Sequence, residues 1–281
     1  MKMILKGTGS GLMAVALLFA GVASTAAADW VQESPGQKAY YGADGLLQRV
    51  EIDADRDGRF EIEEKYADKR RVKRREDLNG DGHWERQITW EKDGSAVLRE
   101  SKKGQAGVQQ TWYEPGGAVR RIEKDADGNG SPEGVWEYAG GKLSRVKKPE
   151  GIWHYREGRL SRAELDPDGN GRMDRIEYYD QSGRIDKTEQ LGPDGKAKAR
   201  WYFDEKGQPE RTEDDLDGQG RPKSRREFAK NGSFMRLIDA DRNGVVEIRE
   251  HFAADGSLIS REEDLDGDGS FDLRLGKTKE N

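Results

Sequence analysis

Seven short stretches carry most of the chemistry in this sequence. They read DADRDGRFE from Asp53, DLNGDGHWE from Asp77, DADGNGSPE from Asp125, DPDGNGRMD from Asp166, DLDGQGRPK from Asp215, DADRNGVVE from Asp239 and DLDGDGSFD from Asp264. In the pattern D-x-[DN]-x-[DN]-G-x-x-[DE], side-chain oxygens recur at positions 1, 3, 5 and 9. The glycine at position 6 permits a sharp bend, and the carbonyl at position 7 adds another hard donor. Hard oxygens gathered in one short loop suit Ca2+. A single copy is also what an ordinary polar turn needs, because Asp, Asn and Gly are the residues turns prefer. The acid at position 9 is what separates the two readings, since a turn alone does not call for it.

Positions 1 to 6 resemble the EF-hand calcium loop, and the acid at position 9 inside a hairpin resembles the calcium loops of FG-GAP propeller repeats. Carried over by position, this resemblance implies six ligand sets. They are Asp53, Asp55, Asp57 and Glu61; Asp77, Asn79, Asp81 and Glu85; Asp125, Asp127, Asn129 and Glu133; Asp166, Asp168, Asn170 and Asp174; Asp239, Asp241, Asn243 and Glu247; and Asp264, Asp266, Asp268 and Asp272. The Asp215 stretch departs, with Gln219 and Lys223 at positions 5 and 9, and is expected to bind no cation. An EF-hand would also need an acid at position 12 and flanking helices. Glu64, Glu177 and Glu250 supply that acid, whereas Ile88, Trp136 and Leu275 stand there in the other loops. The turn signals EKDG, DQSG, AKNG and AADG interrupt the stretch where an exiting helix would run. They also count against the helical unit of dockerins, which the period otherwise resembles.

The loops recur on a beat. Their starts differ by 24, 48, 41, 49, 24 and 25 residues, and KKGQAGVQQ from Lys102 and QLGPDGKAK from Gln190 fill two of the gaps without the acids. The short interval contains GIWHYREGRLSRAEL, where the loop before Gly151 is trimmed. An aromatic followed by glycine keeps the same beat, as in Tyr41 and Gly45, Tyr113 and Gly117, and Phe252 and Gly256; Tyr66 lacks its glycine. Two turn signals per unit, with segments of six to eight residues between them, specify β-hairpins. Within the segments, Phe60, Ile62, Glu64 and Tyr66 share one parity and Glu61 and Glu63 the other, so one face is expected to pack and the other to be wet. The fold expected is all-β: tandem antiparallel hairpins of about 24 residues in an extended or curled meander, with a β-propeller as the alternative closure. The stretches YYDQSGRIDK and WYFDEKGQPER resemble MORN-like and YD-type hairpin repeats, a likeness that covers most of residues 40–261.

Composition sets the setting. Of 281 residues, 37% are charged, 33% hydrophobic and 36 in number are Gly, with no Cys and a formal charge of -6. Mean hydropathy is -1.04. Disulfides and thiolate metal sites are therefore excluded. Lys2 and Lys6, an apolar run over residues 11–22, and Ala26, Ala27 and Ala28 before Asp29 read as a signal peptide over residues 1–28. Residues 29–281 are then one hairpin-repeat domain, periplasmic or secreted from a bacterium, with no membrane span after cleavage. Losing Lys2 and Lys6 takes the formal charge from -6 to -8, which argues against nucleic acid as a partner.

No GxSxG, HExxH or P-loop pattern is present, so no catalytic residue is assigned and the chain is expected not to be an enzyme. His83, His154 and His251 fall in different phases of the repeat and make no zinc triad. The basic run over residues 69–75 reads as a solvated strand paired with acids. The expectation is a calcium-stabilised structural or binding scaffold of the cell envelope, its partner a protein or a polysaccharide. The alternative is a carbohydrate-binding or carbohydrate-active propeller stacking sugars on Trp112, Trp136, Trp153 and Trp201.

Overall fold

The computed structural model describes residues 28–276; the expected leader falls outside them, apart from Ala28. The described residues form 22 strands and no helix. The chain divides between Leu143 and Ser144 into two compact units. The first runs through β1 (Trp30–Ser34), β2 (Gln37–Tyr41), β3 (Leu47–Ile52), β4 (Ile62–Ala67), β5 (Arg70–Glu76), β6 (Arg86–Trp90), β7 (Ala96–Ser101), β8 (Val108–Tyr113), β9 (Val119–Asp125) and β10 (Gly134–Ala139). The second begins with β11 (Lys142–Lys148), which carries the division, and continues through β12 (Gly151–Arg156), β13 (Arg159–Leu165), β14 (Arg175–Tyr179), β15 (Ile185–Leu191) and β16 (Ala197–Phe203). It ends with β17 (Pro209–Leu216), β18 (Pro222–Phe228), β19 (Phe234–Ile238), β20 (Ile248–Phe252), β21 (Leu258–Glu263) and β22 (Leu273–Gly276).

Within each unit every strand pairs antiparallel with the next, from Trp30 opposite Tyr41 at the start of the first to Glu263 opposite Leu273 at the end of the second. Propeller blades would break this ladder every four strands. It is unbroken from β1 to β10 and from β11 to β22, and no described register joins a unit's first strand to its last. The propeller alternative is therefore wrong: each unit is an open meander.

Two kinds of connection alternate. At the mid-unit turn, Glu114 N–H donates to Ala118 O at 2.8 Å and Gly117 N–H to Glu114 O at 2.9 Å, with Gly117 at φ +84°. In most copies the aromatic before the turn marks a register shift, as between Trp112 and Tyr113 and between His251 and Phe252, although the hairpins at Trp90 and Phe228 keep an unshifted register. The copy without glycine, after Tyr66, uses a two-residue turn at Asp68 and Lys69 with φ of 50° and 59°, the mirror-image turn that suits hairpin twist.

The apolar core is thin. In the first unit Ile88, Ala96, Leu98 and Tyr113 are buried, with Trp90 and Val119 packed against them. Across the described residues 11 apolar side chains are buried against 13 polar or charged ones, so much of the cross-strand packing is ionic. The wet face expected of β4 is not wet: its Glu63 is 8% exposed, about as buried as Glu64 on the packing face at 6%. Arg75 donates to Glu63 Oε1 at 2.8 Å while lying over the Trp84 ring at 4.5 Å. Its guanidinium, held between Glu63 and Trp84, thus occupies the second face.

Candidate metal centres

The acidic loops all join the return strand of one hairpin to the outgoing strand of the next. In an antiparallel meander they therefore line up at one end of the strands within each unit. Successive loops are tied together by the backbone: Asp77 N–H donates to Glu61 O at 2.8 Å, Ser101 N–H to Glu85 O at 2.9 Å and Asp264 N–H to Glu247 O at 2.9 Å. Position 9 of one loop thus anchors the start of the next connection.

Inside each loop the first carboxylate organises the bend. Asp53 Oδ1 and Oδ2 accept the Asp57 and Gly58 N–H groups at 3.1 and 3.0 Å. The equivalent position 6 bonds reach Asp77 at 2.7 Å, Asp125 at 2.9 Å, Asp166 at 2.7 Å, Asp239 at 3.0 Å and Asp264 at 2.9 Å. Position 5 then accepts from position 7, as in Asp81 Oδ1 from His83 N–H at 2.8 Å and Asp268 Oδ1 from Ser270 N–H at 2.8 Å. Asn129, Asn170 and Asn243 do the same at 2.7, 2.9 and 2.6 Å, and each turns its amide nitrogen onto the position 3 carboxylate, Asp127, Asp168 or Asp241.

This folding brings carboxylate oxygens within 4.8 Å of one another in several groups, among them Asp53, Asp55, Asp57 and Glu61; Asp77, Asp81 and Glu85; Asp125, Asp127 and Glu133; Asp166, Asp168 and Asp174; and Asp239, Asp241 and Glu247. Asn79 lies beside its group with Oδ1 accepting the Asp81 N–H at 3.0 Å. The Asp264 loop shows the same internal bonds, with Asp266 Oδ1 accepting from Asp268 N–H at 3.2 Å. Three like charges at such spacing repel, and a divalent cation at their centre would remove the repulsion.

Sequence reasoning missed the structural duty of position 9. Its carboxylate clasps the amide of position 2: Ala54 to Glu61 at 3.0 Å, Leu78 to Glu85 at 2.7 Å, Ala126 to Glu133 at 2.6 Å, Ala240 to Glu247 at 2.6 Å and Leu265 to Asp272 at 2.8 Å. That acid therefore has work without metal, contrary to the expectation that a turn does not call for it. The Asp166 loop is the exception that fits, because Pro167 has no N–H to give; it keeps the Asp174 N–H to Leu165 O bond at 2.8 Å, which the Asp239 and Asp264 loops also make through Glu247 and Asp272. Only one oxygen of each acid is used by the clasp. Glu85 is 7% exposed, and its Oε1 is buried with no hydrogen-bond partner.

Backbone amides favour the charged form of three loop carboxylates. Asp81 is held below the ordinary carboxylate value by the His83 N–H and then by Lys103; Glu133 is lowered chiefly by the Ala126 N–H and Asp168 chiefly by the Asn170 N–H. Lys103, from the acid-poor Lys102 stretch, donates to Asp81 O at 2.6 Å and stands 3.7 Å from Asp81 Oδ1. It is a tethered cation beside the Asp77 group.

The position 12 acids are arginine and tyrosine partners. Glu64 accepts from Arg71, from Arg74 at 2.7 Å and from Tyr66 at 2.6 Å; Glu177 accepts from Tyr179, and Glu250 from Arg261 at 2.8 Å. The tryptophans proposed as sugar platforms at 112, 136 and 153 are half-buried and lie near cations, at 5.9, 5.3 and 5.8 Å from Arg121, Lys124 and Lys148, and Trp201 is also half-buried. The histidines lie apart, His83 beside Ser101, His154 on Glu164 at 2.8 Å and His251 near Glu262.

No family model matches the chain, and no curated protein matches it. Among solved structures it is similar to a chain of the Photorhabdus luminescens Tc holotoxin pore, at 12% identity and TM-score 0.19, over 81% of this chain and 15% of that one. It is also similar to TarM of S. aureus, at 11% identity and TM-score 0.15, over 58% and 21% of the two chains. A porin-like protein from Bacteroides uniformis matches at 10% identity and TM-score 0.17, over 78% and 90%. The chain thus spans about 15% of the length of the toxin chain it matches, and likenesses at these scores carry no argument. No helix among the described residues is long and apolar enough to cross a membrane.

Proposed function

We propose that this chain is an exported, non-enzymatic scaffold whose acidic loops are closed by divalent cations, Ca2+ foremost. The observation that carries the reading is Glu85 Oε1, a buried carboxylate oxygen with no hydrogen-bond donor on a residue grouped with Asp77 and Asp81. A buried charged acceptor without a partner costs stability unless something fills the place, and an oxygen-only donor set favours a hard cation.

The ion would supply charge neutralisation and coordination. The chain would supply Asp53, Asp55, Asp57 and Glu61 in the first loop and the corresponding residues in the other five. Loops with four carboxylates, at Asp53 and Asp264, would bind more tightly than those with an Asn at position 5. Because the same loops anchor successive hairpins through Glu61 O, Glu85 O and Glu247 O, binding would stabilise the ladder by linkage. Export follows from the leader-like first 28 residues. An envelope protein or a polysaccharide is the partner class that suits a long ordered sheet.

Thermal melts in excess chelator, in calcium at about the millimolar level of extracellular modules, and in magnesium test the proposal. The expected result is a calcium-dependent rise in Tm that magnesium does not reproduce. Identical melts in all three would remove the cation from the account.

A further inference from the structure

Among the described residues the repeat has an outgoing strand paired on one side only at one end and a return strand paired on one side only at the other. β22 starts at Leu273, nine residues beyond Asp264, as β20 starts at Ile248, nine beyond Asp239. It is an outgoing strand that, among the described residues, pairs only with β21. β1 is the converse. Gly36 O accepts the Asp53 N–H at 2.9 Å as Glu61 O accepts the Asp77 N–H at 2.8 Å, so Gly36 occupies position 9 and β1 is a return strand that, among the described residues, pairs only with β2.

The two edges are also chemically complementary. In three hairpins, the residue ten beyond the loop's first position faces the residue two before the next loop, and the pair is ionic. These are Glu63 with Arg75 at 2.8 Å, Arg200 with Glu213 at 3.3 Å and Arg249 with Glu262 at 2.5 Å. Arg274 holds the first of these places in β22 and Glu33 the second in β1. Both side chains remain largely exposed, at 75% and 65%, although each also meets a charge on its own sheet, Arg274 with Glu262 at 3.7 Å and Glu33 with Lys38 at 3.3 Å. Of the eight exposed large apolar side chains among the described residues, Trp30 and Val31 lie on β1, Leu273 and Leu275 on β22, and Leu258 and Ile259 on β21 beside it. An open edge carrying apolar side chains is a template for another strand. A charge on that edge protects it from its own kind, so Arg274 against Arg274 or Glu33 against Glu33 is disfavoured while Arg274 against Glu33 is favoured.

We infer that β22 of one copy adds antiparallel to β1 of a second copy and completes the hairpin in the register of the repeat. Leu273 then stands opposite Ser34 of the next copy, Arg274 opposite its Glu33, Leu275 opposite its Gln32 and Gly276 opposite its Val31. The contact is heterologous, so copies join head to tail.

Sedimentation velocity of the purified protein over a concentration series tests this. The native chain associates with concentration. Glu33→Arg and Arg274→Glu each weaken association by about tenfold or more, because each sets like charges at the joint. Mixed in equal amounts, the two variants associate again, since every joint between unlike copies pairs Arg with Glu; the double variant Glu33→Arg/Arg274→Glu associates like the native chain. A native chain that stays monomeric throughout, single variants that associate as tightly as native, or a mixture that does not recover would each overturn the inference. Unchanged melting of both single variants shows that the loss lies at the joint.

Discussion

The Asp77 and Asp215 loops begin with the same dipeptide, Asp-Leu, and finish differently. In the first, Leu78 is 62% exposed because its N–H is drawn to Glu85 at 2.7 Å and the chain wraps round the Asp77 carboxylate. In the second, position 9 is Lys223, which has no acceptor for that amide. The loop contracts to a turn from Asp217 to Arg221, with Asp217 N–H on Arg221 O at 3.0 Å and Gly220 N–H on Asp217 O at 2.9 Å. Leu216 joins the ladder opposite Pro222 and is 2% exposed. This is the hydrogen-bond pattern of the mid-unit turns, so losing two acids converted one class of connection into the other. Arg221 Nε donates to Asp217 Oδ2 at 2.9 Å and its Nη1 to Arg242 O at 3.1 Å, as Arg184 binds Asp180 and Glu205 O. The Asp217 carboxyl is lowered to about 2, first by the Arg221 N–H and, with burial opposing, then by its guanidinium. One loop gathers negative charge that an outside cation would neutralise; the other carries its own cation.

The sharpest way to break this contrast is Glu85→Ala, which removes both the acceptor of a backbone amide and a candidate ligand. A loss of about 1–3 kcal/mol in chemical denaturation is expected in calcium, with a smaller calcium-dependent gain in Tm; an unchanged calcium response would make Glu85 a clasp alone. Arg221→Ala should lower Tm by about 2 °C, equally in chelator and in calcium, because its loop owes nothing to the ion. Unequal losses would merge the two classes.

Acid and alkali probe the ionic packing. Burial alone would raise Glu64, but Tyr66, Arg74 and Arg71 outweigh it and its value lies below 4.5. Its folded form therefore holds the proton less well than the unfolded chain. The stability it contributes is complete above about pH 4.5 and falls away as pH drops through the lower folded value. Tyr66, buried and bonded to Glu64, is pushed from 10.0 up to about 12, so its contribution holds below pH 10 and is lost as pH rises toward 12. Glu64→Gln should flatten the acid limb of a pH–Tm curve; an unaltered limb would clear Glu64 of that role. The smallest effect expected is from Lys103→Gln, which removes the tethered cation beside Asp81. Calcium affinity of that loop should rise about twofold by titration calorimetry, and a fall would mean that Lys103 holds the loop in its binding shape.

Much of the fold was legible because the instructions are short-range. Gly117, Tyr113 and their equivalents mark turn and register within a few residues, and the strands follow by alternation. The six acidic loops were legible for the same reason, each being closed by contacts inside nine positions. Glu63 was misplaced because parity alone cannot show that Arg75 and Trp84 would cover the second face. Position 9 was misjudged because its partner is a backbone amide, which leaves no mark in side-chain types.

By itself the sequence determined the beat of hairpins, the two kinds of turn and the sets of oxygens that converge, since all of these are settled by residues close in the chain. Tertiary pairing alone decided that each unit stays an open ladder, that Lys103 reaches Asp81 from the next connection, that Leu216 is buried while Leu78 is not, and that Arg274 and Glu33 stand on strands that, among the described residues, pair on one side only. Those outcomes depend on which strand lies beside which, and on long side chains crossing from one hairpin to its neighbour.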